Sequence, residues 1–325
     1  MTNSRDYAVF EPVHALRRCT STWPAPMRHA FWSHYKNLCT RGLGETGGRA
    51  RKRVPQYWLL LPHWLHERYW DRSHGRKSRG GYLARVLWGQ YSLFLAIRLQ
   101  DDVYDGQATA PALIFAADQF LLEAQSAFST LFRATSPFWT IYRKYLTTTT
   151  RSIVECDDLL RSPKTRAPAL LPAYARVSAI FKIGAAAVCI YLNRMKNFPH
   201  VSRIADALAT AGQILDDLFD IVEDLERGRH NYAARMLSLP IMTADNTKDV
   251  RELVAHQLKT DRHFKLLVQS VERQLRRARQ ASQLLKLPEA TEYVGWCEAS
   301  LAALRVKSSD VVGKAPSGRG IPLGW

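Results

Sequence analysis

Two short acidic runs dominate the chemistry available to this chain. The first, YSLFLAIRLQDDVYDGQ over residues 91–107, is apolar until it ends on Asp101, Asp102 and Asp105. Wound at about 100° per residue, these carboxylates fall within about a quarter of a helix circumference. Like charges so placed repel by roughly 0.2–0.5 kcal/mol per pair. A divalent cation removes that cost, and oxygen ligands of this kind suit Mg²⁺. The second run, GQILDDLFDIVEDLERGRHNY from Gly212, repeats the plan with Asp216, Asp217 and Asp220. Counted onward, Asp216, Asp220, Glu223, Asp224 and Arg227 share one helical face about 100° wide. A single DDxxD run also describes a solvated helix end. Two apolar helices that each carry one are far more specific. Half-buried carboxylates in that number need cationic partners. Facing each other across a cavity, two such helices would clamp a polyphosphate through metal.

The 325 residues suffice for one large or two small domains with a sizeable core. A net charge of +17 admits nucleic acid, an anionic membrane or a polyanionic substrate as partner. The basic residues are spread over the N-terminal third, the 261–280 helix and the tail without an ordered motif. Nucleic acid is therefore not expected, and the charge reads as solvated surface that steers diphosphate or anionic lipid. Cys19, Cys39, Cys156, Cys189 and Cys297 are odd in number and lack CxxC spacing. They suit reduced thiols in a cytoplasmic protein. No signal-peptide pattern and no uninterrupted apolar run of about 18 residues is present, so neither export nor a membrane span is expected.

The elements that must position the acids read as helices throughout. Residues 1–30 read as irregular because Pro12, Pro24 and Pro26 interrupt them. A short helix is expected over 31–39 and a Gly-rich basic loop over 42–53. The aromatic stretch 57–70 predicts helix after Pro62, with His63 and His66 fitting packing better than a metal site. Leu87, Gln90, Phe94 and Ile97 lie on or near the Asp face of the first acidic helix. Helices follow over 112–132 and 137–160, where Asp157 and Asp158 read as a solvated end. After a three-proline loop over 161–172 comes an almost wholly apolar helix, 174–192, in which Arg176 and Lys182 stand out. A buried cation must meet an anion. Gly184 would let that helix bend. The second acidic helix should run from about Val201 to Gly228, and 263–285 reads as a surface helix with a basic outer face. Pro288 breaks the remainder, which is helical to about Val306. The expected partition is a basic, partly irregular segment 1–56, a helical domain 57–306 and a disordered tail 307–325.

The paired runs resemble the two aspartate-rich motifs of the class I isoprenoid synthases: prenyl diphosphate synthases, squalene/phytoene synthases and class I terpene synthases. That resemblance implies an all-α fold, a single-domain helical bundle around a central apolar cavity, and a prenyl diphosphate substrate. It implies two or three Mg²⁺ ions held by Asp101, Asp102, Asp105, Asp216, Asp217, Asp220 and Asp224. It further implies diphosphate contacts from Lys182, Arg176 and Arg227, and a hydrocarbon pocket lined by Leu87, Gln90, Phe94 and Ile97. Phe94, two turns above the acids, would form the floor. In the second motif DDLFDIVEDLERG is similar to the NDLFSxxxExxxG run of terpene synthases, and DIVEDLERGR to the DxxEDxxRGR of squalene and phytoene synthases. Gly47, Gly48 and Arg49 echo the GGKxxRP element with which prenyl diphosphate synthases grip a second diphosphate. Here Lys is replaced and Pro55 comes late. Arg305 lies where terpene synthases carry an Arg-Tyr pair, without the Tyr.

The degraded second-diphosphate element favours a one-substrate terpene synthase that cyclises or eliminates. The symmetric DDxxD pair favours a prenyltransferase, by chain elongation or head-to-head coupling. Of the two, the terpene synthase is the first expectation. A non-catalytic basic binding protein would account for the charge but leave the aligned acids without a role. Homodimerisation and peripheral contact with an anionic membrane are compatible with the enzyme readings, and a lipid-soluble product would bring the protein to such a surface.

Overall fold

Helix is the only regular structure among the described residues, as the apolar periodicity requires. The computed structural model describes residues 12–41, 56–70, 76–240, 252–254, 257 and 261–306. In chain order the helices are α1 (Pro12–Thr20), α2 (Ala25–Arg41), α3 (Tyr57–Tyr69), α4 (Arg76–Tyr104), α5 (Ala112–Ser129), α6 (Phe138–Arg161) and α7 (Ala167–Val177). A 3₁₀ turn (Ser178–Lys182) leads into α8 (Ile183–Tyr191), and a second (Met195–Asn197) into α9 (Phe198–Phe219). Then come α10 (Ile221–Glu226), α11 (Tyr232–Met236), α12 (Asp261–Leu284) and α13 (Pro288–Val306). The helices fall into two compact units. Of the described residues, one unit takes 12–41, 56–70, 76–147 and 180–199; the other takes 148–179, 200–240 and those from 252 onward.

In the first unit α4, which carries the first acidic run, packs along α5, and α2 and α3 pack against α5 and α4. Gly89 brings α4 close to α5: a Cβ there would stand 2.7 Å from the Phe128 ring. The N-terminal residues expected to be irregular are helical instead. Pro12 opens α1 and Pro26 lies in the first turn of α2, where a missing N–H costs nothing. Buried Trp23 and Phe31 meet buried Phe120 of α5 at ring distances of 5.2 Å. α3 likewise begins at Tyr57 and carries Pro62 inside it, not before it.

The single helix expected over 174–192 is broken in two. The stretch Ala167–Tyr191 is long and apolar enough to cross a membrane by length and composition, yet 78% of its 18-residue apolar window is buried inside the fold. In the second unit α12 and α13 form a hairpin whose reversal uses Lys286 at φ 53°, with Pro288 opening α13. Ser282 and Thr291 share a 2.8 Å hydrogen bond and Arg279 reaches Glu298, the pairing of antiparallel neighbours. The second acidic helix is interrupted at Asp220, contrary to the continuous 201–228 helix expected. The 42–53 loop, with Gly47, Gly48 and Arg49, the tail 307–325 and the side chain of Arg305 lie outside the described residues.

The close approach of α4 to α5 yields a paired prediction. Gly89→Ala should lower stability by about 1–3 kcal/mol through overpacking against Phe128. Gly80→Ala on the same helix meets nothing within 4 Å and should gain about 0.5–1 kcal/mol from helix propensity. Opposite shifts in urea midpoint are expected; equal shifts would show that packing at Gly89 is not what distinguishes them.

Candidate functional site

The first acidic cluster sits where α4 runs out. The Asp105 amide donates to the Asp101 carbonyl at 2.8 Å, which sets the two residues one turn apart on the same row. Both are half-buried. Gly106, at φ 70°, then ends the helix. Asp102 is different. Only 1% exposed, it pairs Oδ1 with Arg98 Nη2 at 2.8 Å and Oδ2 with His34 Nε2 at 2.6 Å. Arg98 precedes Asp102 by one turn, a pairing visible in the sequence as an i,i+4 contact. His34 comes from α2, 68 residues away, and nothing in the local pattern points to it.

The second cluster repeats this division. The Asp220 amide bonds to the Asp216 carbonyl at 2.8 Å, and the Asp224 amide to the Asp220 carbonyl at 2.8 Å. The i→i−4 rungs thus persist through the interruption, and Asp216, Asp220 and Asp224 stay in one row. Asp217 is turned into the protein. Its Oδ2 accepts from the Tyr174 hydroxyl and from the Tyr232 amide at 2.8 Å, and its Oδ1 accepts from Gln213 at 3.1 Å. Burial pushes its pKa up to about 7, and the nearby Asp224 adds to that; the three hydrogen bonds pull the other way and do not win.

Asn231, fully buried, holds the loop after this row. Its Nδ2 donates to Asp224 Oδ2 at 2.7 Å and to the Asp217 carbonyl at 2.8 Å, while its Oδ1 caps α11 through the Ala234 amide. Burial also raises the Asp224 pKa. Asp157, expected to be a solvated end, instead accepts from Arg229 at 3.1 Å and Arg161 at 2.9 Å. It thereby ties α6 to the turn that follows α10.

The candidate cations divide by burial. Lys182 is 7% exposed, at the end of the 3₁₀ turn, with Nζ 5.0 Å from the centre of the Tyr145 ring. Arg176 is 46% exposed and stands 3.8 Å from Glu155, so it is a surface residue and not the buried cation the apolar pattern suggested. Arg227 is 37% exposed and bonds Glu223 at 2.8 Å, one turn back.

Phe94 lies about 10 Å up α4 from Asp101. It belongs to an aromatic group with Trp58 at 4.7 Å, and Trp58 in turn stacks on Phe181 at 5.2 Å. Trp58 and Phe181 were not singled out from the sequence, where each reads as ordinary core. Leu87 and Ile97 are buried. Gln90, expected to line the pocket, spends its amide elsewhere: Oε1 accepts from the Gly184 amide at 2.7 Å and Nε2 donates to the Ile180 carbonyl at 3.3 Å.

Among the described residues no three His, Cys, Asp or Glu side chains converge to form a ready metal cage. The donor set still fits Mg²⁺. That ion takes hard oxygen ligands and is usually held by one or two carboxylates together with substrate phosphates and water. Asp101 with Asp105, and Asp216 with Asp220, supply carboxylates in that number.

No family model matches the chain, and no curated protein does. Solved structures do. A heptaprenyl diphosphate synthase from Staphylococcus aureus superposes with TM-score 0.64 at 10% identity, covering 93% of this chain and 96% of that one. Geranylgeranyl pyrophosphate synthetase from Pyrococcus horikoshii gives 0.62 at 13% identity, covering 93% and 94%. A decaprenyl diphosphate synthase from Rhodobacter capsulatus gives 0.60 at 16% identity, covering 93% of each chain. The all-α fold of this chain is that of the class I isoprenoid synthases.

The raised Asp217 pKa carries a pH signature. Folded, Asp217 keeps its proton up to about pH 7, against an ordinary value of 3.8. The folded state therefore binds more protons across that window, and stability falls as pH rises through it. Without divalent cation, the melting temperature of the wild type should fall more steeply between about pH 4 and 7 than that of Asp217→Asn. Parallel curves would show that Asp217 titrates normally.

Proposed function

We propose that this chain is a Mg²⁺-dependent class I isoprenoid synthase of the prenyltransferase kind, ionising an allylic prenyl diphosphate and joining its hydrocarbon to a second isoprenoid unit. The observation that carries the reading is a pair of acidic rows, each with its carboxylates one turn apart, in a fold shared with solved prenyl diphosphate synthases. Those relatives favour chain transfer over the cyclisation that the sequence alone put first. Cyclisation or elimination stays the second reading because Gly47, Gly48 and Arg49 form only part of the element that grips a second diphosphate. A cytoplasmic enzyme that meets lipid at a membrane surface is the setting we propose with it.

When bound, the metal would supply Lewis-acid neutralisation of the departing diphosphate. Asp101 and Asp105 would hold it on one row; Asp216, Asp220 and Asp224 would do so on the other. Asp102 and Asp217 would serve as anchors instead: each is buried with both carboxylate oxygens held by protein donors, and they would fix the helix ends from which the ligands project. Lys182 would donate to a phosphate oxygen, stabilising charge that grows as the C–O bond breaks. Its neighbourhood is preorganised, since a buried lysine over an aromatic ring has little freedom to reorient. Phe94, Trp58 and Phe181 offer ring faces that exclude water and favour an allylic cation. Arg176 and Arg227, both well exposed, would be at most peripheral contacts.

Purified protein with Mg²⁺ should release pyrophosphate from allylic diphosphates only when isopentenyl diphosphate is supplied. Release from one allylic substrate alone would point away from chain elongation, to the cyclase if the product keeps the substrate's carbon count and to head-to-head coupling if it doubles it; no release under either condition would remove all three. Asp101→Asn and Asp216→Asn should each cut turnover by at least ~10²-fold, the scale of lost electrostatic stabilisation. Lys182→Ala should weaken pyrophosphate binding; an unchanged dissociation constant would take Lys182 out of the site.

A further inference from the structure

The break in the 167–191 stretch has an identifiable cause. In an uninterrupted α-helix the Gly184 amide would bond the carbonyl four residues back, that of Ile180. Here the Gln90 side chain stands between them: its Oε1 takes the amide at 2.7 Å and its Nε2 gives to the carbonyl at 3.3 Å. One carboxamide, from a different helix, replaces one rung of the ladder with both ends satisfied. A side chain inserted into the i→i−4 ladder is a recognised cause of a sharp helix break. Gln90 is 0% exposed, so neither water nor another polar group substitutes for it cheaply.

The fit around the insertion is close. A Cβ on residue 184 would come within 3.1 Å of Gln90 Oε1 and 3.1 Å of Pro62 Cγ. Glycine at 184 is thus what lets α3 and α4 approach α8 closely enough for the carboxamide to enter. Lys182 lies between the two ends of the replaced rung, as the last residue of the 3₁₀ turn and the N-cap of α8. A 3₁₀ segment winds about 120° per residue against about 100° for an α-helix. Over the five residues Ser178–Lys182 the difference is about 100° of winding. Rewinding the turn as α-helix would therefore redirect the side chains along it, Lys182 at its end among them.

We propose that Gln90 is a positioning residue: by taking the place of the Ile180–Gly184 rung it holds the 3₁₀ turn open and sets the direction in which Lys182 presents its ammonium group to a diphosphate. This rests on the reading of Lys182 as a diphosphate donor. Gln90 itself touches no substrate.

The test uses the full-length chain and inorganic pyrophosphate with Mg²⁺ as the probe, read by calorimetry, alongside amide hydrogen exchange of the 180–191 segment and urea denaturation. Gln90→Leu removes both hydrogen bonds at similar volume. It should weaken pyrophosphate binding at least ~10-fold, nearly as far as Lys182→Ala, as expected for loss of a charged-group contact. Exchange at the Gly184 amide should change at the same time. Gln90→Glu supplies the conservative rescue, because a protonated carboxyl has the same donor and acceptor. Relative to wild type at each pH, its affinity should recover at about pH 5.5 and be lost at about pH 8 as the carboxyl ionises. If Gln90→Leu does not fold, the Glu variant carries the test alone.

A folded Gln90→Leu with wild-type pyrophosphate affinity, while Lys182→Ala is impaired, would overturn the proposal and leave the function standing. A Glu variant equally weak at both pH values would also overturn it. Wild-type affinity in Lys182→Ala would instead remove the premise about Lys182.

Discussion

Carboxylates on neighbouring turns carry both mutual repulsion and a desolvation cost, and each acidic motif here meets that constraint by dividing its residues between two tasks. The most buried aspartate of each motif is held by protein donors through both of its oxygens: Asp102 by Arg98 and His34, Asp217 by Tyr174, Tyr232 and Gln213. The others stay on a row set by i→i−4 backbone bonds, Asp101 with Asp105 and Asp216 with Asp220 and Asp224. A buried anion without donors costs several kcal/mol, and the partners of Asp102 and Asp217 lower that cost. The buried member thus fixes the helix end, and the row beside it inherits that fixed position.

The two anchors are not electrically alike. Asp102 meets an arginine and a histidine. The donors to Asp217 from Tyr174, Tyr232 and Gln213 are neutral, and burial lifts its pKa to about 7. Asn231 ties this second anchor to its row by bonding the Asp217 carbonyl and the Asp224 carboxylate with one amide group. A single buried side chain thus keeps the loop after α10 in register with the acids before it. Removing it would leave three backbone or carboxylate groups short of a partner.

The functional candidates also gather where helices are interrupted. Asp220 marks one discontinuity, between α9 and α10, and Lys182 another, at the 3₁₀ turn before α8. Such interruptions persist only where the surroundings satisfy the displaced backbone groups. At Asp220 the rungs to Asp216 and from Asp224 survive, so the row is preserved through the bend. At Lys182 a rung is lost and Gln90 replaces it. In both places hydrogen bonds bridge the irregularity, through the backbone at Asp220 and through the Gln90 side chain before Gly184.

The chain's own pattern was enough for the all-α class, for helix at both acidic runs, though not for the interruption at Asp220, and for the rows themselves. Each depends on spacing along one element, and a 3.6-residue period exposes such spacing directly. Even the ion pair of Arg98 with Asp102 belongs to that local register. The N-terminal helices are not legible in that pattern because proline looks the same at the first turn of a helix as in a break. What only the tertiary structure decided is which aspartate turns inward and which cation is buried. His34 and Tyr174 come from 68 and 43 residues away to meet their acids, Gln90 reaches Gly184 across 94, and Arg176 proves exposed where Lys182 is buried. Periodicity describes one helix at a time. The fate of a polar group is set by donors and acceptors that other helices bring to it, and packing alone determines those partners.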